Sequence, residues 1–472
     1  MYVIYWLRQD LRVEDNPALA SASSDQKTVL PIYIYDNVNQ SPAMGSASKA
    51  WLHHALIALE AQMGHKILCL TGDPWTLITQ PPLKTIIERY NIQSIYWNRC
   101  YEPWRMARDE ALKSKLTTIG ITAHSFNGSL LWEPWTVKKD NQEPYKVFTP
   151  FFRKGCLPQS PRALVSPIKS IDYLSAGLEN ASVSSLNLIE QDRWQSKTLS
   201  HWEIGAESAQ KKLDDWLEHG LTGYKKLRDY PNLPHHSKLS PHLHFGEISP
   251  HQIWHAVQAL PQDKDTDHFL SEIGWREFSY NLLFHNQQLD RENIQKKFDR
   301  LAWKTNPELL ALWQRGNTGI PLVDAGMRQL WQTGFMHNRL RMVVGSFLVK
   351  NCLIDWREGF DWFWDCLFDA DLANNAAGWQ WIAGCGADAA PYFRIFNPIS
   401  QSEKFDPNGE FIKTFVPELK ALDPPHCFAP WLADKTTLSQ ANIVLGEDYP
   451  YPCIDLKASR QAALDTFKQT FS

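Results

Sequence analysis

The sequence predicts a doubly wound parallel α/β domain followed by a domain that is all-α or nearly so. The chain has 472 residues, 43% of them hydrophobic, which is too long for one ordinary core and apolar enough for two. In the first part short apolar runs alternate with helix-length segments, whereas helical periodicity dominates later. We predict an α/β domain over residues 1–130, a connection over 131–200 and a helical domain over 201–472.

The first part contains five short apolar runs that resemble buried parallel strands. Between two of them lies a predicted helix, Ser48–Met63, whose leucines recur at helical spacing. Alternating strands and helices favour a parallel sheet with helices on both faces. Neither a G-x-G-x-x-G nor a G-x-x-x-x-G-K-[ST] motif is present, so a nicotinamide cofactor or a P-loop nucleotide is not supported. The predicted strands are Val3–Leu7, Val29–Tyr35, Ile67–Leu70, Ser94–Trp97 and Ile121–Phe126.

A long connection rich in Pro, Ser and Lys is predicted from Gly128 to His201, because the segment has little periodicity. Beyond it the pattern is helical. The predicted helices there are Ala206–Gly220, His268–His285, Pro321–Thr333, His337–Cys352 and Phe360–Phe368.

Composition excludes several classes of protein. A net charge of −4 and a pI of about 6.5 are unlike those of a wholly basic nucleic-acid binder, so any DNA contact must use a local patch. No stretch of 18 apolar residues and no basic leader before Val3 are present, so we expect a cytoplasmic protein with no membrane partner. The eight cysteines show no C-x-x-C pair or metal-ligand spacing, which predicts a reduced compartment and no bound metal.

Candidate chemistry lies in the helical part. Tyr224 and the segment His236–Gly246 offer hydroxyls, cations and a helix start that suit a phosphate, although capped helix termini would explain the local pattern equally well. Further on, two separate sets of three residues each have the spacing i, i+3 and i+4, which places the members of a set on one helix face. A surface ion pair is the more frequent explanation of one such set. The two sets are Glu272, Trp275 and Arg276, and then Asn338, Arg341 and Met342.

The segment Phe368–Trp381 has two acids, two amides and two tryptophans in a stretch that we predict to be short and barely helical. Its Asp-x-Asp sequence is compatible with Mg²⁺, but no phosphate-transfer loop accompanies it, which disfavours a metal.

Taken in order, these segments resemble the photolyase/cryptochrome family over nearly the whole chain, most closely its bacterial cyclobutane pyrimidine dimer photolyases. The resemblance implies an α/β antenna domain and a helical domain that holds FAD. The motifs that carry it are Trp-Arg-Glu-Phe at 275–278, Asn-Arg-x-Arg-Met at 338–342, Asp-x-Asp-Leu at 369–372 and Asp388–Pro398.

The resemblance also implies the residues around FAD. Asn375 discriminates between family branches, because a neutral amide beside flavin N5 suits a reduced anionic flavin, whereas plant cryptochromes carry an acid there. Arg341 is expected to pair with Asp369 and Asp371. His236 and Lys238 replace the usual Thr and Arg. The implied cofactor shell comprises Tyr224, Ser237, Lys238, Leu239, Ser240, Phe269, Arg276, Asn338, Arg341, Asp369, Asp371 and Asn375.

The implied substrate is UV-damaged DNA, in which light-driven electron transfer from reduced FAD splits cyclobutane pyrimidine dimers. The pair of histidines typical of enzymes for the (6-4) photoproduct is absent at 338 and 342. A blue-light receptor of the cryptochrome type is the alternative, and we expect a monomer. Implied lesion contacts are Glu272, Trp275, Asn338, Met342 and Trp381; implied phosphate contacts are Arg339 and Lys404, with Lys154 weaker; the implied electron relay is Trp379, Trp356 and Trp303.

The antenna chromophore is a separate expectation. The Trp104–Arg105 pair stands where the best-known folate-binding members have Asn-Glu, whereas Ala47–Leu52 and Leu131–Trp135 resemble class III photolyases and plant cryptochromes. The resemblance therefore implies methenyltetrahydrofolate in a class III-like site, with a deazaflavin or no antenna as alternatives.

Overall fold

The computed structural model describes residues 1–175, 177, 180–189, 198–389, 391–392 and 394–471. Two residues of the predicted motif Asp388–Pro398, Ala390 and Phe393, lie outside the described residues. The chain forms two compact units. The first unit comprises Met1–His219 and Ser237–Gln287, and the second comprises Gly220–His236 and Gln288–Ser472. The domain boundaries at residues 130 and 200 stay a prediction.

A parallel sheet forms the centre of the first unit. Its strands follow the order β3-β2-β1-β4-β5, and the short β6 also pairs with β2. The prediction of a doubly wound α/β fold is therefore confirmed, since the order reverses direction at β1. Trp6, Ile32, Ile95 and Trp97 are buried in the core on one side of the sheet. The strands are β1 (Tyr2–Leu7), β2 (Thr28–Tyr35), β3 (Leu68–Thr71), β4 (Ser94–Asn98), β5 (Thr122–Phe126) and β6 (Asp172–Tyr173).

Helices complete the first unit, and some arise where the sequence predicted only a connection. Their bounds are α1 (Pro17–Ala22), α2 (Ser46–Met63), α3 (Pro74–Thr79), α4 (Leu83–Arg89), α5 (Pro103–Thr118), α6 (Phe148–Pro150), which runs into a π-helical turn (Phe151–Cys156), and α7 (Ala206–His219). After the excursion of the chain through the second unit, where α8 (Tyr224–Leu227) lies, three more follow. These are α9 (Ser240–Phe245), α10 (Pro250–Gln258) and α11 (Lys264–His285).

The start of α11 shows why a periodic pattern misses a helix end. The prediction began at His268, because Lys264–Asp267 contains no apolar residue. Asp263 caps the helix, however, and its carboxylate accepts the N–H groups of Asp265 and Thr266, both at 2.9 Å. The capping box therefore adds a polar first turn that hydrophobic spacing alone does not reveal.

The second unit is helical in the residues that the structure describes, as the sequence predicted. Besides α8, its α-helices are α12 (Pro307–Arg315), α13 (Pro321–Thr333), α14 (Asn338–Ser346), α15 (Trp356–Cys366), α16 (Leu372–Ala383), α17 (Pro398–Phe405), α18 (Glu410–Phe415), α19 (Lys435–Gln440) and α20 (Leu456–Phe471). A π-helical turn at Phe347–Asn351 continues α14. None of the described helices has the length and apolarity to cross a membrane.

One prediction in this unit is wrong. The segment that we expected to be barely helical forms the regular helix α16. Asp371 caps it by accepting the Asn374 N–H at 2.8 Å, and Gly384 ends it with a φ of 89°. The alanines of this segment favour a helix, and the paired amides at its start are compatible with a capped first turn.

Candidate functional site

In the first unit, α11 presents the predicted lesion residues on one face. Trp275 stacks on Phe148, with ring centroids 3.9 Å apart and planes 11° from parallel. Glu272 is half-buried, and its Oε1 lies 3.8 Å from Nε2 of His268 one turn earlier. Phe269, a predicted cofactor residue, is buried against Trp216. The helix thus combines a half-buried indole and a carboxylate on neighbouring turns.

Arg276 has a partner that the sequence did not single out. Its Nη1 donates to Oε1 of Glu277 at 2.9 Å, and the guanidinium lies over the ring of Tyr280. The other oxygen of Glu277 accepts the N–H groups of Leu131 and Trp132 at 2.9 and 3.1 Å. Burial raises the pKa of Glu277 to about 7. Glu277 therefore fixes both Arg276 and the Leu131–Trp135 segment.

The segment before α9 contains residues of the first unit that are predicted to contact the phosphates of the cofactor. Lys238 has a left-handed backbone (φ 51°), which is uncommon for a residue with a side chain. Leu239 is buried, and its N–H donates to Oγ of Ser237 at 3.4 Å. Ser240 begins α9. Tyr224, the remaining residue of this predicted set, is buried at the start of α8 in the second unit.

In the second unit the predicted ion pair forms with one of the two expected acids. Nη2 of Arg341 donates to both carboxylate oxygens of Asp369, at 2.9 and 2.7 Å, and its Nε donates to the Met336 carbonyl at 2.9 Å. Asp369 is 8% exposed, so this partner keeps its charge tolerable in the interior. The carboxylate of Asp371 instead accepts two hydrogen bonds from Asn374, which caps α16.

Asn375 lies one turn into α16 with its amide oriented by the backbone. Its Nδ2 donates to the carbonyl of Phe360 at 3.1 Å. Because the amide nitrogen is used in this way, the side-chain oxygen is the group left to accept a further hydrogen bond.

The remaining lesion residues of this unit lie on α14 and α16. Asn338 is exposed at the first position of α14, Met342 is half-buried one turn later, and Trp381 is half-buried on α16. His337 caps α14, because its Nδ1 accepts the Arg339 N–H at 3.1 Å. Burial lowers the pKa of His337 to about 3.

The three predicted relay tryptophans all lie in the second unit. Trp379 and Trp356 are buried, whereas Trp303 is half-buried. Nε1 of Trp356 donates to Oδ1 of Asn293 at 3.0 Å. The ring of Trp379 lies against Gly359, where an added Cβ would be only 2.1 Å from Cη2. Trp303 is therefore the most exposed of the three, and their role as an electron relay stays a prediction.

The two residues predicted to contact DNA phosphates lie next to one aromatic ring. Arg339 and Lys404 lie over Phe405, at 4.3 and 5.0 Å from its centroid. Arg339 also donates to Asp229 at 2.6 Å and is largely buried, whereas Lys404 is exposed. Lys404 is thus the more accessible cation of the pair.

A cavity of about 500 Å³ lies in the first unit beside α5. Trp135 and Phe284 line it with ring centroids 5.8 Å apart, and Tyr101 lies 5.9 Å from Trp135. Aromatic walls of this kind suit a planar conjugated ligand. Charged and polar groups complete the lining, namely Arg99, Asp109, Glu110, Lys113, Ser114 and Gln287.

Sequence reasoning missed Glu277, Gly359 and Trp313. Trp313 is fully buried and packs edge-on against Trp379 at 6.2 Å. Glu277 directly follows Arg276 in the sequence, and this adjacency of an acid and a base was a signal that could have identified it. Gly359 and Trp313 lie 20 and 66 positions before Trp379 and on other helices, so local spacing gave no signal for this packing.

The chain is similar to known proteins over nearly its whole length. Residues 3–167 match the model of the DNA photolyase family, and residues 269–469 match that of the FAD binding domain of DNA photolyase. The deoxyribodipyrimidine photo-lyase of Agrobacterium fabrum is 43% identical, covering 98% of this chain and 97% of the relative. Cryptochrome-2 of Arabidopsis thaliana is 33% identical, covering 99% of this chain and 79% of the relative.

Among solved structures, the bacterial class III photolyase from Agrobacterium tumefaciens superposes with a TM-score of 0.94 at 43% identity, covering 99% of this chain and 97% of that one. The cryptochrome of Synechocystis superposes with a TM-score of 0.88 at 29% identity, covering 98% of this chain and 99% of that one. The extent of these matches shows that the chain belongs to the DNA photolyase family and carries its FAD-binding domain.

Proposed function

We propose that this protein is a deoxyribodipyrimidine photolyase, an enzyme that uses light and reduced FAD to split cyclobutane pyrimidine dimers in DNA. The observation that carries the proposal is Asn375, a neutral amide whose nitrogen is held by the Phe360 carbonyl. The amide oxygen could then accept a hydrogen bond from the N–H group of a bound flavin without adding negative charge, which suits a reduced anionic flavin.

The second unit supplies a donor set that fits FAD. Arg341 balances the charge of Asp369, so this pair presents oriented donors and acceptors at little net charge. The family resemblance supports the proposal that Tyr224, Ser237, Lys238, Leu239, Ser240 and Arg276 would hold the phosphates and ribityl chain. Reduced FAD, when bound and excited by light, supplies the electron that opens the dimer.

Lesion recognition is assigned to side chains on three helices. Trp275 and Trp381 would pack on the pyrimidine rings, because a flipped base is held by stacking, and Met342 would add an apolar contact. Glu272 and Asn338 would address the polar edges, since amide and carboxyl groups can pair with the carbonyl and imide groups of a pyrimidine. Lys404 and Arg339 would bind phosphates, which gives affinity without sequence preference.

An antenna chromophore is proposed for the cavity beside α5. Its aromatic lining residues Trp135, Phe284 and Tyr101 would contact a planar heterocycle such as that of methenyltetrahydrofolate. We expect that folate, added to the purified protein, extends the excitation spectrum of repair, and that Trp135→Ala and Phe284→Ala each abolish the extension. Trp331→Ala, which removes an exposed indole from the second unit, should leave it intact. If a deazaflavin and not folate extends the spectrum, the cavity binds a deazaflavin instead. If neither compound changes the spectrum, the cavity does not hold an antenna chromophore.

A blue-light receptor is the second candidate, because plant cryptochromes are 33–34% identical to nearly the whole chain. The discriminating experiment is repair of an oligonucleotide with one cyclobutane thymine dimer by photoreduced protein, with a dark control. We expect light-dependent repair that Asn375→Asp lowers by an order of magnitude, because a carboxylate repels an anionic flavin. Asn408→Asp, which adds the same charge at an exposed position, should repair normally. Absence of repair by FAD-loaded, reduced wild type would favour the receptor.

A further inference from the structure

An aromatic platform from outside α11 supports the indole of Trp275. Phe148 covers one face of the indole at 3.9 Å, and Phe152 stacks on Phe148 at 5.6 Å with planes 10° apart. Phe278 contacts the indole edge-on at 5.7 Å. Phe148 and Phe152 are 9% and 1% exposed, whereas Trp275 is half-buried. The ring surface that remains accessible must therefore belong mainly to the face opposite Phe148.

The helix itself is shaped to receive this platform. A Cβ on Gly274 would lie 2.5 Å from Cδ2 of Phe152, so only glycine permits the phenyl ring to approach the backbone of α11 so closely. Arg153 ties the same segment to α11 by donating to both oxygens of Asp267, at 2.6 and 2.7 Å. This exposed ion pair contributes little energy, but it joins the segment to the helix two turns before Trp275.

We propose that Phe148, backed by Phe152 and by the absence of a side chain at Gly274, is a positioning residue that sets the plane of Trp275 for stacking on the dimer. This inference rests on the proposed photolyase function and extends it to a residue in the segment that the sequence indicated to be mere connection. An indole free to change its rotamers loses entropy when a base stacks on it. Parallel stacking on Phe148 removes that freedom before the lesion arrives, so affinity for the dimer depends on Phe148 as well as on Trp275.

The test is a double-mutant cycle with two duplexes of one sequence, one undamaged and one with a single cyclobutane thymine dimer. For Phe148→Leu we expect the Kd ratio of undamaged to damaged DNA to fall by about threefold to tenfold, the range for a lost stacking contact and a freed rotamer. Repair per bound dimer should be unchanged, because Phe148 acts on binding. Phe148→Tyr, which keeps the ring, should restore the ratio.

Two comparisons separate positioning from packing. Phe151→Leu removes a neighbouring buried phenyl that contacts Tyr145 and Phe278, so it should cost similar stability and leave the Kd ratio unchanged. In a Trp275→Ala background, Phe148→Leu should have no further effect on the ratio, because the indole that it positions is gone. If Phe148→Leu does not fold, Phe148→Met, which fills the space flexibly, takes its place.

Three results are decisive. If Phe148→Leu and Phe151→Leu have the same Kd ratio of undamaged to damaged DNA, Phe148 does not position Trp275. The proposed photolyase function would be unaffected by that result. Additive losses in the double variant would show that Phe148 acts independently of Trp275 and would also overturn the platform. Wild-type protein that does not prefer the damaged duplex would remove the proposed function, and the platform with it.

Discussion

Among single residues, Lys350 shows how burial changes the charge that a side chain carries near neutral pH. It is fully buried on the π-helical turn after α14, and its Nζ donates to the carbonyl of Arg394 at 2.8 Å. Burial lowers the pKa of Lys350 to about 7, helped by the charge of Arg394. A backbone carbonyl is a weaker partner for an ammonium group than a carboxylate, so desolvation prevails.

This shift has a defined sign for stability. A lysine in the unfolded chain titrates near about 10.4, so between pH 7 and that value the unfolded state binds more protons than the folded state. The free energy of unfolding should therefore rise with pH, by up to about 1.4 kcal/mol per pH unit from this group. Urea unfolding at a series of pH values above 7 measures the slope, which Lys350→Met should reduce and Lys457→Met, an exposed control, should not. Equal slopes in wild type and Lys350→Met would contradict the assignment.

At the scale of elements, α15 and α16 approach through a single glycine. The ring of Trp379 on α16 occupies the place where residue 359 of α15 would have a Cβ. Capping by Asp355 and Asp371 fixes where the two helices begin, and this sets which residues of one helix meet the other. The position of the Trp379 indole, a predicted relay residue, therefore depends on the absence of a side chain at Gly359.

We expect Gly359→Ala to lower the free energy of unfolding by about 1–3 kcal/mol, the usual result of overpacking a core. Gly378→Ala is the matched control, because it adds the same methyl group on α16 with no atom within 4 Å. That variant should gain up to about 1 kcal/mol from helix propensity. Denaturant titration of both variants checks this, and an unaffected Gly359→Ala would show that α15 can shift freely.

For the whole molecule, the electron relay that the family resemblance implies would connect buried tryptophans with a more exposed one. Trp379 and Trp356 are buried and Trp303 is half-buried, so an electron entering at Trp303 would pass through two indoles shielded from water. A role in packing would explain each of these tryptophans equally well, because large aromatic side chains are common in protein cores. Only a kinetic measurement separates the two roles.

We expect Trp356→Phe and Trp303→Phe to slow light-driven reduction of oxidised FAD by an order of magnitude, because phenylalanine keeps the packing but is far harder to oxidise. Repair by chemically reduced protein should be unchanged in both. Trp331→Phe removes an exposed indole stacked on Trp362 and should reduce FAD at the normal rate. Normal photoreduction in both relay variants would redirect the path, with Trp313 beside Trp379 as the next residue to test.

The fold class, the order of the strands along the chain and the family were predictable from the sequence, because they depend on local periodicity and on motifs of contiguous residues. It also predicted the pairing of Arg341 with Asp369, since a buried acid requires a cation. The regular helix α16 was misjudged, because its cap and alanines were outweighed by its polar residues.

Which residues support those motifs depends on side-chain packing in three dimensions. Glu277 holds Arg276 and the backbone of Leu131 and Trp132, Phe148 stacks on Trp275, and Gly359 admits Trp379. Apart from the pair of adjacent residues Arg276 and Glu277, these contacts join segments separated by 20 to about 150 positions in the chain. Side-chain packing over such separations leaves no periodic trace in the sequence. The family motifs predicted the residues that would act, and three-dimensional packing shows which neighbours contact them.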